Sequence, residues 1–219
     1  MKQSWAVIFD MDGTLLDNNP YHLKSWQEMC RRYGRELSEQ EYKESLSGKS
    51  SADTIRYLFG DRFSAEETRL FRKQKEAVYR TLIEPFIAPL PGLPELLHAL
   101  HIHQVPMAIA TSASPDNIDF ALDKLYIRHY FKAVVDSSMV AEGKPAPDIY
   151  LEAASRLQMQ PERCLAFEDS LSGIRSAQAA GMKVIALTTA HGAAELSHAD
   201  KVIGDYRELS YDALQEMIS

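Results

Sequence analysis

Cysteine is scarce in this chain, with two among 219 residues. Cys30 and Cys164 stand far apart and have no partners at metal-ligand spacing. The plain reading is two buried thiols in a reducing compartment, so a cytoplasmic protein is expected. Long apolar runs are missing too. The opening Met1-Lys2-Gln3-Ser4-Trp5 leads straight into a strand pattern, without the charged segment and long apolar stretch of a signal peptide or membrane span. Positive charge is in deficit: 24 Lys and Arg face 31 Asp and Glu, a formal charge of −7. A nucleic-acid groove needs a clustered cationic surface, so that class is excluded, whereas a small anionic substrate in a local pocket is compatible. Internal repeats and low-complexity segments are absent. No long apolar stripe demands a partner, and a monomer is expected.

What the chain does have is alternation. Its 45% hydrophobic and 25% charged fractions are ordinary for a globular protein, and its length suits one large domain or two unequal ones. Ala6-Val7-Ile8-Phe9 is a short continuous apolar run, the mark of a central parallel strand covered on both faces. Further runs begin at Pro106, Ala133, Cys164, Val184 and Lys201. Helix patterns fill the gaps over 93–103, 115–125, 147–157 and 171–180, with Gly181 placed as a helix C-terminal glycine. Such βαβ units imply an α/β fold with a doubly wound, mostly parallel, Rossmann-like sheet.

One stretch breaks the pattern. From about 19 to 84 strands are lacking and four helices are predicted. The first starts at Pro20, carries the stripe Leu23, Trp26, Cys30 and Tyr33, and stops at Gly34. The others cover 38–46, 52–59 and 65–83, the last with a capped, acidic start at Ser64, Glu66 and Glu67. The expected organisation is an α/β core domain of 1–17 and 88–219 with an inserted all-helical cap domain, 18–87. Two adjacent linkers are what a movable lid needs.

Four short motifs follow apolar runs: Phe9-Asp10-Met11-Asp12-Gly13-Thr14, Ala110-Thr111-Ser112, Gly143-Lys144-Pro145 and Phe167-Glu168-Asp169-Ser170. In an open parallel sheet, ligands bind beyond the carboxyl ends of the strands, near the topological switch point. Asp10 and Asp12, two apart on an extended chain, can address one substrate atom. Asp10 is suited to attack phosphorus, and Asp12 to protonate the departing oxygen and then activate water. Gly13 permits close backbone approach. Asp169 and Glu168 complete a cluster of acids that repel one another unless a cation sits among them, and hard oxygen donors suit Mg²⁺. The plain alternative for Glu168-Asp169-Ser170 is a helix N-cap. Thr111, with a backbone N–H at a helix start, favours an anion, and Lys144 offers a charge for a phosphoryl oxygen. By itself Lys144 would be a solvated surface lysine.

These motifs, in this order and with a helical insertion after the first, resemble the haloacid dehalogenase-like superfamily over essentially the whole chain. Asp10-Met11-Asp12-Gly13-Thr14, Gly143-Lys144-Pro145-Ala146-Pro147-Asp148 and Glu168-Asp169-Ser170 carry the resemblance. Within it, the chain looks most like the beta-phosphoglucomutase-like branch of sugar-phosphate phosphatases and mutases. The resemblance implies Asp10 as nucleophile and Asp12 as general acid and base. It also implies Mg²⁺ held by Asp10, the Asp12 carbonyl and Asp169, with Glu168 supporting, and Thr111, Ser112 and Lys144 at the transferring phosphoryl group. His22 matches the lid histidine, Lys75 matches a family lysine facing the site, and Gly48 and Lys49 belong to the substrate loop. A solvated helix face is the alternative for Lys75, given its charged neighbours.

The chain also departs from the branch. The mutases carry a lysine just before the loop glycine and an arginine three residues after it, where this chain has Ser47 and Ser51. A second phosphate would lose its bidentate guanidinium clamp, which Lys49 or Arg56 replaces only in part. The expected function is therefore a Mg²⁺-dependent phosphatase for a small phosphorylated metabolite. The alternative is a mutase interconverting beta-glucose 1-phosphate and glucose 6-phosphate. A phospho-accepting signalling domain ranks behind both, because Asp12 beside an acyl phosphate hastens its hydrolysis.

Overall fold

The computed structural model describes residues 5–46 and 51–218, so the expected loop residues Gly48 and Lys49 lie outside the described residues. The chain divides into two compact units. One ends at Asp17 and resumes at Ile87; the other is Asn18–Phe86.

Among the described residues, the inserted unit contains four α-helices: α1 Asn19–Arg32, α2 Glu39–Ser45, α3 Ser51–Phe59 and α4 Ala65–Ile83. Three of them have a local cause for their start. Pro20 lies in the first turn of α1, where its missing N–H costs nothing. Ser38 caps α2, and Ser64 with Glu67 forms a reciprocal capping box on α4. Their apolar faces meet in a core of Trp26, Met29, Cys30, Leu37, Ile55, Leu58 and Phe71, with Tyr33, Phe59 and Phe63 packed against it. Of the expected α1 stripe, Trp26 and Cys30 are buried and Tyr33 packs against this core. The buried face runs Ser25, Trp26, Met29, Cys30 at helical spacing, which leaves Leu23 half-buried.

The other unit is built on six strands: β1 Ala6–Phe9, β2 Met107–Thr111, β3 Ala133–Asp136, β4 Cys164–Glu168, β5 Lys183–Leu187 and β6 Lys201–Ile203. All pair in parallel, in the order β3-β2-β1-β4-β5-β6. The chain winds outward from β1 through β3, then returns to lay β4 on the opposite side of β1. That reversal sets the switch point beside β1. The helices α5 Leu93–Ile102, α6 Pro115–Lys124, α7 Asp148–Arg156, α8 Leu171–Ala179 and α9 Tyr211–Ile218 flank the sheet.

Every residue of β1 is fully buried, and each of Val7, Ile8 and Phe9 contributes about 1.5–3 kcal/mol of apolar burial. Ala6 and Ile8 share one face with Ala108, Ala110 and Ala166, whose small side chains let α7 and α8 approach closely. Phe9 points the other way and stacks on Phe167 at 4.9 Å, and the Tyr206 ring lies 5.3 Å from Phe167. The pattern-based reading contains no α9. It forms because Leu214 and Ile218 are buried and because Lys183 and Arg163 donate to the carbonyls of Met217 and Ile218. Among the described residues, no helix is long and apolar enough to cross a membrane.

Candidate active site

The switch point gathers residues from four segments. Phe9 pairs with Ile109 of β2 on one side and Phe167 of β4 on the other. The backbone N–H of Asp10 then donates to the Phe167 carbonyl at 2.9 Å. Asp10, just past β1, is thereby fixed beside Glu168, the last residue of β4. One carboxylate oxygen each from Asp10, Glu168 and Asp169 falls within 4.8 Å of the others, and all three residues are buried.

Lys144 reaches this cluster from the loop before α7. Its side chain is 6% exposed, so the solvated-lysine alternative fails. Three ammonium donors meet three acceptors: Asp10 Oδ1 at 2.6 Å, Glu168 Oε1 at 2.6 Å and the Ala110 carbonyl at 3.0 Å. Burial works against its charge, but the two carboxylates outweigh burial and hold Lys144 above the ordinary lysine range. Burial pushes the Asp10 carboxyl well above the carboxylate range. Lys144 pulls it down, while Glu168, Asp169 and Asp12 push it further up. The site thus crowds more negative charge than one ammonium offsets, which is the environment that a divalent cation fits.

Glu168 is the most committed of the acids. Its Oε1 also accepts from the Tyr150 hydroxyl at 2.9 Å. Its Oε2 accepts from the N–H groups of Asp169 and Ser170 at 3.0 and 3.1 Å and from the Ser170 hydroxyl at 3.0 Å. Five protein donors therefore hold Glu168, which serves as a support for Lys144 while its carboxylate stays within the acid cluster. The capping alternative also resolves. Ser170 caps α8 by accepting from Gly173 N–H, which releases Asp169 from that task. The Thr189 hydroxyl lies 3.2 Å from Asp169 Oδ2 and 2.6 Å from the Gly13 carbonyl, tying the loop after β1 to the acid cluster.

Two local expectations change. The chain past Asp10 is not extended. The N–H groups of Thr14 and Leu15 close a turn onto the Met11 carbonyl, and Gly13 takes a φ of 71°. Asp12 is half-buried and does not join the 4.8 Å cluster, although its charge acts on Asp10. Thr111 does not start a helix either. It ends β2, its hydroxyl accepts from Ala113 N–H at 3.1 Å, and α6 begins only at Pro115. Ser112 is exposed.

In the helical unit, Lys75 is buried at 3% exposure, so the solvated-face alternative for it also fails. Its ammonium lies 2.9 Å from His22 Nδ1 and 3.1 Å from Glu76 Oε1, and 5.4 Å from the Trp26 ring centroid. His22 stacks on Tyr79 at 4.1 Å, and the Tyr79 hydroxyl bonds Asn18. Tyr79, Asn18, Tyr150 and Thr189 carry no short motif, and only the i, i+4 spacing of Lys75 and Tyr79 on α4 hints that two of them share a face.

Comparison with known proteins agrees with this arrangement. The family model described as haloacid dehalogenase-like hydrolase matches residues 7–187. The fructose-1-phosphate phosphatase YqaB of Escherichia coli is 37% identical over 82% of this chain and 94% of its own length. The beta-phosphoglucomutase of Bacillus subtilis is 31% identical over 95% of this chain and 94% of its own. A haloacid dehalogenase family IA, variant 3 hydrolase from Entamoeba histolytica superposes with a TM-score of 0.91 at 32% identity, covering 98% of this chain and 99% of that one. With phosphatases and a mutase alike at this similarity, and with buried acids around one lysine at the switch point of a parallel sheet, the chain belongs to the haloacid dehalogenase-like hydrolases as a phosphatase or phosphotransferase enzyme.

Proposed function

We propose that this chain is a Mg²⁺-dependent phosphatase that hydrolyses a small phosphomonoester, a sugar or polyol phosphate, through a phosphoryl group carried on Asp10. The Lys144 ammonium set between Asp10 and Glu168 carries this reading. It keeps a positive charge against the nucleophile in a buried site, where such charge acts most strongly. Asp10, Asp169 and the Asp12 carbonyl would hold the metal, an all-oxygen donor set that fits Mg²⁺. The bound ion would lower the repulsion between an anionic nucleophile and an anionic substrate.

In the proposed sequence, a carboxylate oxygen of Asp10 bonds to phosphorus as the ester P–O bond breaks. Asp12 delivers a proton to the departing oxygen, so the sugar leaves as an alcohol. Asp12, now ionised, takes a proton from water. The water oxygen bonds to phosphorus, the acyl phosphate bond breaks, and phosphate leaves with Asp10 restored. Thr111, Ser112 and Lys144 hold the phosphoryl oxygens. His22 and Lys75 are the helical unit's candidates for substrate contact, together with Gly48 and Lys49. The likeness to a fructose-1-phosphate phosphatase supports a sugar phosphate as substrate.

Phosphate release from a panel of sugar and polyol phosphates, with MgCl₂ or with EDTA, tests the proposal. Turnover that needs Mg²⁺ and is lost in Asp10→Asn supports it; no turnover, or equal turnover in Asp10→Asn, refutes it. The similarity to the Bacillus subtilis mutase favours a second reading, interconversion of beta-glucose 1-phosphate and glucose 6-phosphate. Ser47 and Ser51 stand against it, because neither supplies a cationic grip on a second phosphate. Incubation of beta-glucose 1-phosphate with a trace of the bisphosphate separates the two: glucose 6-phosphate marks a mutase, free glucose a phosphatase.

A further inference from the structure

Tyr150 is fully buried in the first turn of α7, and burial pushes its hydroxyl well above the ordinary phenol range, so it remains a neutral donor. It touches both halves of the buried ion pair. Its hydroxyl donates to Glu168 Oε1, and the Lys144 ammonium lies 5.1 Å from its ring centroid, within cation–π range. Across the pair, Gly173 sits in the first turn of α8. A Cβ added there would lie 1.7 Å from Glu168 Oε1, 1.9 Å from Cδ and 2.3 Å from Oε2. The carboxylate itself fills the space a side chain at 173 would take. Five donors pin that carboxylate, so it has no low-cost way to yield.

We propose that Tyr150 and Gly173 are positioning residues of this site: Tyr150 joins Glu168 to Lys144 through one hydroxyl and one ring face, and Gly173 leaves vacant the volume into which Glu168 is locked. Together they set the Lys144 ammonium against Asp10 before a substrate arrives. This deepens the phosphatase reading and rests on it for its catalytic consequence.

The Tyr150 arm is a double-mutant cycle with Glu168→Gln, using p-nitrophenyl phosphate as the probe. Tyr150→Phe is expected to lower kcat about 10- to 100-fold, with KM changed by less than about twofold. On the Glu168→Gln background it adds less than about threefold. Unchanged kcat, or effects that multiply in the double variant, overturn the Tyr150 role. A second readout needs no turnover. In lysine-¹⁵N-labelled protein, exchange of the Lys144 ammonium protons, assigned through Lys144→Met, accelerates by about tenfold or more in Tyr150→Phe; unchanged exchange counts against the role.

For Gly173 the readout is Tm. Gly173→Ala loses about 5 °C or more. Combined with Glu168→Asp, whose carboxylate is one methylene shorter, it recovers at least half of that loss, whereas Tyr150→Phe recovers none. No loss in Gly173→Ala, or a loss that Glu168→Asp leaves in place, overturns the claim. If no phosphomonoester is turned over, the functional reading fails while the exchange and Tm arms still decide this one.

Discussion

Lys144 and Asp10 form a pair whose members respond in opposite directions to removal. Lys144→Met would leave Asp10 and Glu168 buried together without their shared cation. Breaking a buried pair from one side costs about 3–5 kcal/mol, and each kcal/mol moves Tm by about 2–4 °C in a chain of this size. A drop of about 10 °C is therefore expected by calorimetry, together with loss of phosphate release; an unchanged Tm would mean that Glu168 does not depend on Lys144. Asp10→Asn runs the other way. Burial and the neighbouring acids make the ionised Asp10 costly in the fold. Its neutral amide can still accept from Lys144, so Tm in EDTA rises by about 2–4 °C. Phosphate release falls at least about 10³-fold. A lower Tm for Asp10→Asn in EDTA would show that the Lys144 attraction outweighs burial and acid crowding.

Helices and strands test differently, because their boundaries have local causes. The capping box on α4 satisfies the Glu67 N–H through Ser64 Oγ and the Ser64 N–H through Glu67 Oε2. Ser64→Ala removes the first and exposes the second, for about 1 kcal/mol. Tm of the unit that carries α4 is expected to fall by about 2–4 °C, with kcat unchanged; a lower kcat would tie the N-terminus of α4 to chemistry. Such local causes made much of the fold legible in the sequence. The strands were readable because a doubly covered parallel strand must be apolar throughout, as Ala6–Phe9 is. The helical insertion was readable from Pro20, Ser38 and Ser64 and from the lack of any strand pattern. The meeting of Asp10, Glu168 and Asp169 followed from motifs at strand ends, and that of Lys144 from the Gly143-Lys144-Pro145 motif in the loop before α7. What escaped depends on distant contacts. Lys75 looked like part of a charged surface because burial is invisible in a charged stretch. Tyr150 and Gly173 look like core filler and a helix weakness until Glu168 is seen between them. The short α9 offers few periodic positions, and its last carbonyls find donors only in Arg163 and Lys183 of other segments.

At the scale of the molecule, two units with separate cores share one chain, and each holds one cysteine. Cys30 is buried in the helical core, and burial pushes its thiol up to about 11. Cys164 is buried in the sheet unit, where burial raises its thiol to about 12. The thiolate is the reacting form, so at pH 8 the folded protein should resist a disulfide reagent at both positions, and each thiol reports when its own unit opens. Among the described residues, the helical core gathers eight buried apolar residues, against nineteen in one cluster on the sheet. Stability against opening follows buried apolar area, so the helical unit is expected to open first. In a urea series with thiol labelling read by peptide mass spectrometry, Cys30 is expected to react at a lower urea concentration than Cys164. The Ser64→Ala change should move the Cys30 midpoint down and leave that of Cys164 in place. Coincident midpoints that shift together in the variant would show instead that the two cores melt as one cooperative body.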